Sequence, residues 1–502
     1  MLSVFMNAKN DPTPVSKRRI PVSFAVAFLF FGFLWLMDFP KPFSDDLFYC
    51  GAGLNLAAGG DLSNPFLERH HFPSHYYFAY PPVHSYAIGG WMKLFGISAL
   101  SLTGFQMLMY LLTAWATMAI LRRHGVPAWL EFLVPLGVTA SFLPFGLRAE
   151  PLAVALTMTG FAILEYGYSR IMPVFFAFLL MFLGGATAPR LTLYAGGLVL
   201  LAGFRMWQKA TGSGWKRLSF CLPALGAISI TLFIFLYMIN FRLGEFWSVF
   251  HLHASYNVGG SRIGHLKMFF FRILGVTQLP IYFLGPVLLL IAGRRSRDEW
   301  FYRGIFLTLA FVLYALGGAV GIGTTWYAFL VFLCGAASIS KNASYSGRIL
   351  SAVGLSLVLL LANSKALLNV VGIWSGEIQE DQVGQAAAAQ LRPAAGRSVL
   401  VDRAVARYVF DYKIPAGYVD FEFSAPFPGF GVNDYFAVQD IYLVSPAAVD
   451  WLRFETQLDC PSPPVWTPLG WSRWAFERHP CRTFIIPAET CKGLRSHPEN
   501  GR

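Results

Sequence analysis

Charged residues are scarce in this chain of 502 amino acids. Asp, Glu, Lys and Arg together make up 13% of it, whereas hydrophobic residues make up 55% and the mean hydropathy is +0.51. Soluble domains are about one quarter charged. The composition therefore excludes an ordinary soluble protein and predicts an integral membrane protein.

Long basic runs, nucleic-acid stacking modules and phosphate-binding glycine loops are also missing. The formal net charge is +12, but the Lys and Arg residues fall mostly in short loops between apolar runs. Such placement is typical of charge that orients a membrane protein, so we expect no nucleic-acid partner. The lack of a P-loop or soluble nucleotide-sugar domain favours a lipid-linked ligand over a free nucleotide.

A small-x-small cleavage site is not seen after the first apolar run. Residues 1–19 are polar and end in Lys17, Arg18 and Arg19, and an apolar stretch of about 18 residues follows. We expect a cytoplasmic segment at 1–19 and an uncleaved first membrane anchor rather than a signal peptide.

Apolar windows of about 19 residues predict eleven membrane spans. They lie near 20–37, 99–120, 127–146, 149–167, 171–187, 189–206, 218–240, 266–292, 302–319, 322–339 and 347–366. Residues 83–96 are apolar but number only about 14, which favours an interfacial or re-entrant helix over a crossing. With that segment outside the count, sixteen Lys and Arg residues lie on the N-terminal side and ten on the other. The positive-inside rule then predicts a cytoplasmic N-terminus and an outer C-terminus.

Three sizeable pieces face outward in this topology: residues 38–98, 241–265 and everything after 367. The tail contains short apolar runs bounded by turn residues, which predict strands at 397–403, 406–412, 440–446 and 482–488. We therefore expect a cytoplasmic segment (1–19), a membrane domain (20–367) and a small extracytoplasmic α/β domain (368–502).

Six cysteines are present, and three of them, Cys460, Cys481 and Cys491, lie in the outer tail. An oxidising compartment predicts one disulfide and one leftover thiol. Cys460 with Cys481 is the preferred pair, because the intervening residues could form a hairpin-like excursion, but three pairings are open.

Two adjacent carboxylates, Asp45 and Asp46, open the first outer loop directly after Ser44. This pattern is a good helix N-terminus, with Ser44 as the cap and the acids at the positive end of the helix dipole. A capped interfacial helix is also a rigid place from which to present a catalytic carboxylate. The two interpretations do not exclude each other.

The same loop carries a motif series that resembles a known superfamily. Asp45-Asp46-x-x-Tyr49 is followed by a helix ending in Gly-Gly and then by "YFAYPPVHSYAIGGWMKLFGIS" at 77–98, with aromatic-Pro-Pro at Tyr80. Over roughly residues 20–200 the chain resembles the GT-C membrane glycosyltransferases, which include lipid A aminoarabinose transferases and protein O-mannosyltransferases. The resemblance implies a polytopic helical membrane enzyme of the plasma (inner) membrane.

The resemblance also implies a reaction: inverting transfer of a hexosyl or pentosyl group from a polyprenyl-phosphate donor to a hydroxyl of a lipid, glycan or protein acceptor on the outer face. Asp45 would be the general base, and Asp46 a cap, an orienting group or a metal ligand. Such chemistry also needs cations for the leaving phosphate. The expected donor- or acceptor-binding residues are Tyr49, Tyr80, Arg148, Glu150, Arg190, His251 and His253.

Each of these side chains also has a purely structural interpretation. Arg148 and Arg190 could be snorkelling anchors at span ends, and His251 and His253 could be merely interfacial. Glu150, followed by proline, could be a helix N-cap. It could instead help Asp46 to hold a divalent ion such as Mg or Mn.

One departure and one competing function complete the sequence evidence. Ala79-Tyr80 stands where the aminoarabinose transferases have Glu-Lys, which removes a metal ligand and a phosphate-binding cation.

The competing hypothesis is a lipid or solute transporter with an outer cap domain. Against it, neither a half-to-half repeat nor a strongly charged position at mid-span is apparent.

Overall fold

The computed structural model describes the helical part of the chain and five strands of the tail. The residues described are 22–37, 44–64, 74–142, 147–167, 170–188, 191–209, 221–258, 279–295, 298–316, 323–341, 345–363, 399–401, 416–418, 441–444, 467–468 and 482–487. For several residues inside these elements the structure describes the backbone alone.

Helices account for most of the described residues. They are α1 (Val22–Leu36), α2 (Ser44–Ala57), α3 (Val83–Phe95), α4 (Ala99–Arg123), α5 (Val134–Phe142), α6 (Ala149–Gly167), α7 (Ile171–Thr187), α8 (Thr192–Lys209), α9 (Cys221–Met238), α10 (Leu243–Val258), α11 (Leu279–Arg295), α12 (Glu299–Leu316), α13 (Gly323–Lys341) and α14 (Tyr345–Ala362). A short 3₁₀ helix, Ala128–Leu133, leads into α5.

Each of the eleven predicted spans coincides with one of these helices, but their crossing of the membrane is not established by length. Among the described residues, Leu100–Arg123 alone has the length and hydropathy of a span, and its 24 residues would extend roughly 36 Å. Leu222–Met238 and Leu243–Leu252 pass the same test only as a pair, which bends by 83°. The count of eleven spans therefore stays a prediction.

The bend between α9 and α10 introduces a helix that the sequence did not predict. Residues 241–265 were expected to face outward, and α10 occupies most of that segment. Its outward position stays a prediction. Asn240 and Phe241 turn the chain with φ of 51° and 59°, in the left-handed region. Arg242 Nη1 then donates to Glu245 Oε2 at 3.2 Å across the first turn of α10. This favourable helix start, rather than apolar length, is the signal that the hydropathy window passed over.

The short segment at 83–96 is a helix, α3, whose 13 residues extend only about 20 Å. This length favours the predicted interfacial or re-entrant position, which stays a prediction.

The chain divides into two compact units. One contains residues 1–34, 106–145 and 149–366, and the other contains 35–105, 146–148 and 367–502. This division groups the first outer loop with the tail, whereas the domains predicted from sequence separate them at 367. Those predicted domains stay a prediction.

Aromatic side chains form the centre of the first unit. Ring centroids lie 6.0 Å apart for Phe31 and Tyr110, 5.5 Å for Tyr110 and Phe142, and 5.4 Å for Phe142 and Trp326. All four residues are buried. This row joins α1, α4, α5 and α13 through offset and edge contacts, the arrangements that aromatic pairs prefer.

Buried charge also holds the first unit together. Glu131 is 2% exposed and accepts hydrogen bonds from Arg122 Nε at 2.8 Å on both carboxylate oxygens. Ser23 Oγ of α1 donates to Glu131 Oε2 at 2.7 Å and accepts from Arg122 Nη2 at 2.6 Å. Together these contacts link α1 to the end of α4. A buried ion pair is tolerated only where further hydrogen bonds, such as those of Ser23, satisfy its polar atoms.

In the second unit, the tail strands form one mixed sheet in the order β2-β1-β3-β5-β4. The strands are β1 (Val399–Val401), β2 (Ala416–Tyr418), β3 (Ile441–Val444), β4 (Thr467–Pro468) and β5 (Arg482–Pro487). β1 runs parallel to β2 and β3, while β5 runs antiparallel to β3 and β4. Three strands fall inside predicted ones, β2 and β4 were not predicted, and 406–412 lies outside the described residues.

Candidate active site

The two acids of the first outer loop occupy the first turn of α2. Asp45 and Asp46 follow Ser44, the residue at which the helix begins, as the sequence predicts. Position 45 precedes Tyr49 by four residues, one turn of the helix. The structure describes the backbone of the acids but not their side chains, so their catalytic roles stay a prediction.

Helix α2 packs closely against α3 at two glycines. A Cβ added at Gly53 would lie 2.9 Å from the Ser85 carbonyl oxygen, and one added at Gly89 would lie 3.1 Å from the Gly53 oxygen. At Gly53 any side chain would force part of α3 to shift, whereas at Gly89 a Cβ would fit only tightly. The close contact places Tyr49 on α2 beside the start of α3.

Three of the predicted binding residues come together here. The hydroxyl oxygens of Tyr49 and Tyr80 lie 2.9 Å apart, and their ring centroids are 4.8 Å apart in an edge-on arrangement. The Arg148 guanidinium carbon lies 4.9 Å from the centroid of the Tyr49 ring. Tyr49, Tyr80 and Arg148, named below the tyrosine-arginine cluster, therefore combine a cation with two phenol groups.

A third tyrosine, Tyr77, is close enough to the cluster to interact electrostatically with its members and was not predicted as a site residue. It is 2% exposed. Burial raises the pKa of its hydroxyl well above the ordinary value, and the nearby Tyr80, Tyr49 and Cys50 raise it further, while Arg148 acts in the opposite direction. Tyr77 is therefore a neutral phenol at physiological pH.

His84 is buried in the first turn of α3. Burial lowers the pKa of its imidazole to about 4, although hydrogen bonds with the backbones of Tyr49 and Leu147 favour the charged form. The Cys50 thiol donates to the Leu147 carbonyl oxygen at 3.6 Å. The segment that carries Arg148 is thus connected to both α2 and α3.

A polar turn lies in the same loop. Ser63 N donates to Asp61 Oδ1 at 3.0 Å, and His75 Nε2 lies 2.6 Å from Asp61 Oδ2. Burial opposes ionisation of Asp61, but the hydrogen bonds from Ser63 and His75 outweigh it and lower the pKa of the carboxyl. These contacts close the loop between α2 and the residues that precede α3.

The remaining predicted site residues are not brought to this cluster by the described contacts. Glu150 is buried in the first turn of α6, and its Oε2 has no hydrogen-bond partner within the described part of the chain. His251 is exposed on α10. The side chain of His253, the whole of Arg190 and the tail cysteines Cys460, Cys481 and Cys491 lie outside the described residues.

The metal hypothesis is not tested by these positions. No group of three His, Cys, Asp or Glu side chains in the described ranges could hold a metal ion. The Asp46 carboxylate is outside those ranges, so a pair formed by Asp46 and Glu150 stays a prediction.

Sequence reasoning missed Tyr77, His84 and Cys50. Tyr77 and His84 flank the Tyr80-Pro81-Pro82 motif, three residues before it and two after it. Because a rigid diproline presets the direction of the chain on both sides, residues bordering it are the ones whose positions it fixes. The diproline motif was therefore the sequence feature from which Tyr77 and His84 could have been predicted.

Comparison with known proteins adds one finding about the fold. No protein-family model matches the chain, and no curated protein matches it in sequence. A crystal structure of ArnT from Cupriavidus metallidurans bound to undecaprenyl phosphate superposes over 95% of this chain and 99% of that one, with a TM-score of 0.52 and 14% identity. The chain has the fold of ArnT.

At the level of the fold, this likeness agrees with the resemblance seen in the sequence motifs. The apo structure of ArnT from the same organism matches over 93% of this chain and 97% of that one, with a TM-score of 0.45 and 13% identity. At these identities the likeness concerns the fold alone, and the statement about the fold is based on the structure with bound undecaprenyl phosphate.

Proposed function

We propose that the chain is an inverting membrane glycosyltransferase that uses a polyprenyl-phosphate-linked sugar. The observation that carries this proposal is the tyrosine-arginine cluster, which lies beside the helix that begins with Asp45 and Asp46. The ArnT fold supports it, because one ArnT structure holds undecaprenyl phosphate. A phosphate-binding cation and an acid are the two groups that the reaction needs most.

Arg148 is the proposed phosphate ligand. A guanidinium donates to phosphate oxygens through charge-assisted, often paired, hydrogen bonds. Stacking over Tyr49 restricts the guanidinium before the donor arrives, and such restriction reduces the ordering cost of binding. The hydroxyls of Tyr49 and Tyr80 add neutral donors. Together these groups would stabilise the negative charge that develops on the leaving phosphate.

Asp45 is the proposed general base. Its carboxylate would take the proton from the acceptor hydroxyl as the acceptor oxygen bonds to the anomeric carbon and the bond to the phosphate oxygen breaks. Attack opposite the leaving group inverts the anomeric configuration. Adjacent residues of a helix lie about 100° apart around its axis, so Asp46 would not share the geometry of Asp45 and would cap or orient instead.

The sugar and acceptor are left as classes: a hexosyl or pentosyl donor, and a lipid, glycan or protein hydroxyl. Ala79 is buried and Tyr80 is bonded to Tyr49, so these positions offer neither the acid nor the lysine of the aminoarabinose transferases. We therefore propose a sugar other than aminoarabinose. Arg148 would supply the cationic role, with Arg190 as a second phosphate ligand.

We also propose the predicted topology for this enzyme: eleven spans in the plasma (inner) membrane, a cytoplasmic N-terminus and an outer tail. In that topology α2 and α3 lie at the outer surface, where a lipid-linked sugar presents its anomeric carbon.

The proposal is tested with the full chain in lipid nanodiscs. Purified protein is incubated with a panel of undecaprenyl-phosphate hexoses and pentoses and with membrane extracts as acceptors, and release of undecaprenyl phosphate is measured. We expect turnover with at least one donor, and its loss in Arg148→Ala. Arg242→Ala, an exposed arginine paired with Glu245, is the matched control and should keep full turnover. Movement of labelled lipid across the bilayer without any transfer would instead favour a transporter.

A further inference from the structure

Helix α10 leaves α9 at a sharp bend, and its described side chains form three distinct faces. The axes of Leu222–Met238 and Leu243–Leu252 differ by 83°. Phe246 and Val249 of α10 are buried, and the Phe246 ring packs edge-on against Phe235 of α9 with centroids 5.1 Å apart. These two residues mark the face by which α10 packs on the protein.

The second face of α10 is apolar but exposed. Leu243, Trp247 and Phe250 are spaced by four and then three residues, so they lie along one strip of the helix surface. Leu243 is 51% exposed and Trp247 is 62% exposed. Phe250 is partly exposed, and its ring centroid lies 6.3 Å from that of Trp247. Contiguous exposed apolar side chains, unlike single ones, indicate a surface that something other than water covers.

The third face of α10 is polar. Gly244, Ser248 and His251 have the same spacing as the apolar strip and are all exposed. Successive residues of a helix lie about 100° apart around its axis, so the polar face is turned by that angle from Leu243, Trp247 and Phe250. An apolar strip beside a polar one is the pattern of a helix that lies at a boundary between lipid and water.

The apolar strip of α10 continues the exposed surface of α9. Phe233 and Tyr237, in the last turns of α9, are exposed, and so is Phe241 at the bend. The Phe241 ring lies edge-on to the Phe233 ring, with centroids 6.4 Å apart. Exposed aromatic surface therefore extends from α9 to the start of α10, and one partner, lipid, covers both helices.

The bend sets the direction of α10 relative to a bilayer. Leu222–Met238 extends about 26 Å, close to the roughly 30 Å thickness of the hydrocarbon core. If α9 crosses the membrane as proposed, a helix that leaves its end at nearly a right angle runs along the membrane surface.

We propose that α10 is an interfacial helix whose partner is the surface of the phospholipid bilayer. Leu243, Trp247 and Phe250 enter the boundary between acyl chains and headgroups, and the polar face is turned toward water. Trp is well suited to this boundary, because its ring is largely apolar while its indole N–H can donate to headgroups or water. This arrangement holds His251, which the sequence predicts as a binding residue, in the aqueous layer. The inference rests on the proposed membrane topology and not on the proposed reaction.

The first test identifies what α10 touches when the full chain is in phospholipid nanodiscs. A photoreactive benzophenone amino acid replaces Trp247 in one variant and Ser248 in a matched control, since both positions are exposed. Irradiation is followed by mass spectrometry of the adducts. We expect phospholipid adducts at position 247 to exceed those at position 248 at least about fivefold, because the two positions lie about 100° apart around the helix.

The unmodified protein supplies a second measurement that no substitution can disturb. In nanodiscs, hydroxyl radicals formed in the water should oxidise His251 and spare Trp247, although both side chains are exposed on the protein and indole is the more reactive group. In denaturant, both should be oxidised.

The depth of the helix is read from tryptophan fluorescence. The difference in emission between the parent and Trp247→Phe isolates the contribution of Trp247. Phospholipids brominated near the headgroup should quench this difference more strongly than phospholipids brominated at the chain ends, because interfacial helices lie at the boundary between headgroups and acyl chains.

Several outcomes would overturn the inference. Equal lipid adducts at positions 247 and 248, or oxidation of Trp247 in nanodiscs, would show that the apolar strip does not face lipid. Adducts of position 247 with a second copy or with another segment of the chain would assign the strip to a protein interface. Stronger quenching by bromine at the chain ends would make α10 a re-entrant helix. None of these measurements involves sugar transfer, so absence of turnover would overturn the proposed function and leave this inference standing.

Discussion

The hydroxyl oxygens of Tyr49 and Tyr80 lie 2.9 Å apart, across 31 positions of sequence. This bond joins α2, which begins with the two acids, to the segment that leads into the prolines before α3. The same two hydroxyls are the proposed neutral donors to the ligand. Removing either hydroxyl tests which role dominates.

Tyr49→Phe and Tyr80→Phe should have similar effects, because each leaves the other phenol without this bond. We expect each to lower turnover about five- to tenfold, the effect of about 1 kcal/mol or slightly more, with little change in abundance. The double variant should be less harmful than the product of the two single effects. A double-variant effect equal to the product of the two single effects would indicate that the hydroxyls act separately on the ligand. Turnover of undecaprenyl-phosphate sugar is the measurement.

The acids of α2 should not be equivalent. Asp45→Asn should leave an inserted, abundant protein and reduce transfer by roughly two orders of magnitude or more, the contribution of a positioned base. Asp46→Asn should hurt less, since loss of a helix-terminal carboxylate costs only about 1 kcal/mol of stability. Initial rates with lipid-linked donor compare the two. Parental turnover by Asp45→Asn would mean that the acids only begin the helix.

Acidification should lower the stability of the folded protein through protonation of His84. Its pKa is about 4 in the folded protein and 6.5 when the ring is free, so the unfolded chain takes up the proton first as pH falls. The stability contributed by the neutral ring is therefore complete above about pH 6.5 and decreases as pH approaches 4. Thermal unfolding in detergent at pH 7.5 and pH 5 should show a larger drop for the parent than for His84→Asn. Equal drops would assign the pH dependence to other groups.

The Arg122–Glu131 pair offers a test that concerns stability alone. Glu131→Gln leaves the arginine facing a neutral amide at a buried position, and we expect a loss of about 2 kcal/mol, less than for a fully buried pair because the Arg122 side chain is 29% exposed. Replacing both residues with leucine should cost less than Glu131→Gln. Denaturant midpoints in detergent measure both, and a double variant worse than the single one would show that the pair stabilises more than it costs to bury.

The predicted topology can be checked with reporters. A fusion after Lys365 should report the outer compartment, and one after Arg123 the inner compartment, because Lys and Arg residues concentrate on the N-terminal side. Paired alkaline phosphatase and green fluorescent protein fusions distinguish the two. An outer signal after Arg123 would mean that α3 and its flanking residues cross the membrane.

Local composition was sufficient to predict where most of the helices lie. Apolar runs placed all eleven long segments, and the shortness of residues 83–96 predicted α3, because hydropathy and length are properties of contiguous sequence. The same window missed α10, whose start depends on the turn at Asn240 and Phe241 and on the Arg242–Glu245 pair. Strands were predicted only in part, since pairing partners decide which short apolar runs become strands.

The sequence by itself also predicted Tyr49, Tyr80 and Arg148 as binding residues, because residue type and order can be read from the sequence directly. Only the tertiary structure decided that Arg148 lies over Tyr49 and that Glu150, two positions later, is buried at the start of α6 in the other unit. It alone revealed His84, whose partners are Tyr49 and Leu147. The physical reason is that such contacts join residues tens of positions apart. They arise from the close packing of α2 on α3 at Gly53 and Gly89, and neither hydropathy nor local motif spacing encodes them.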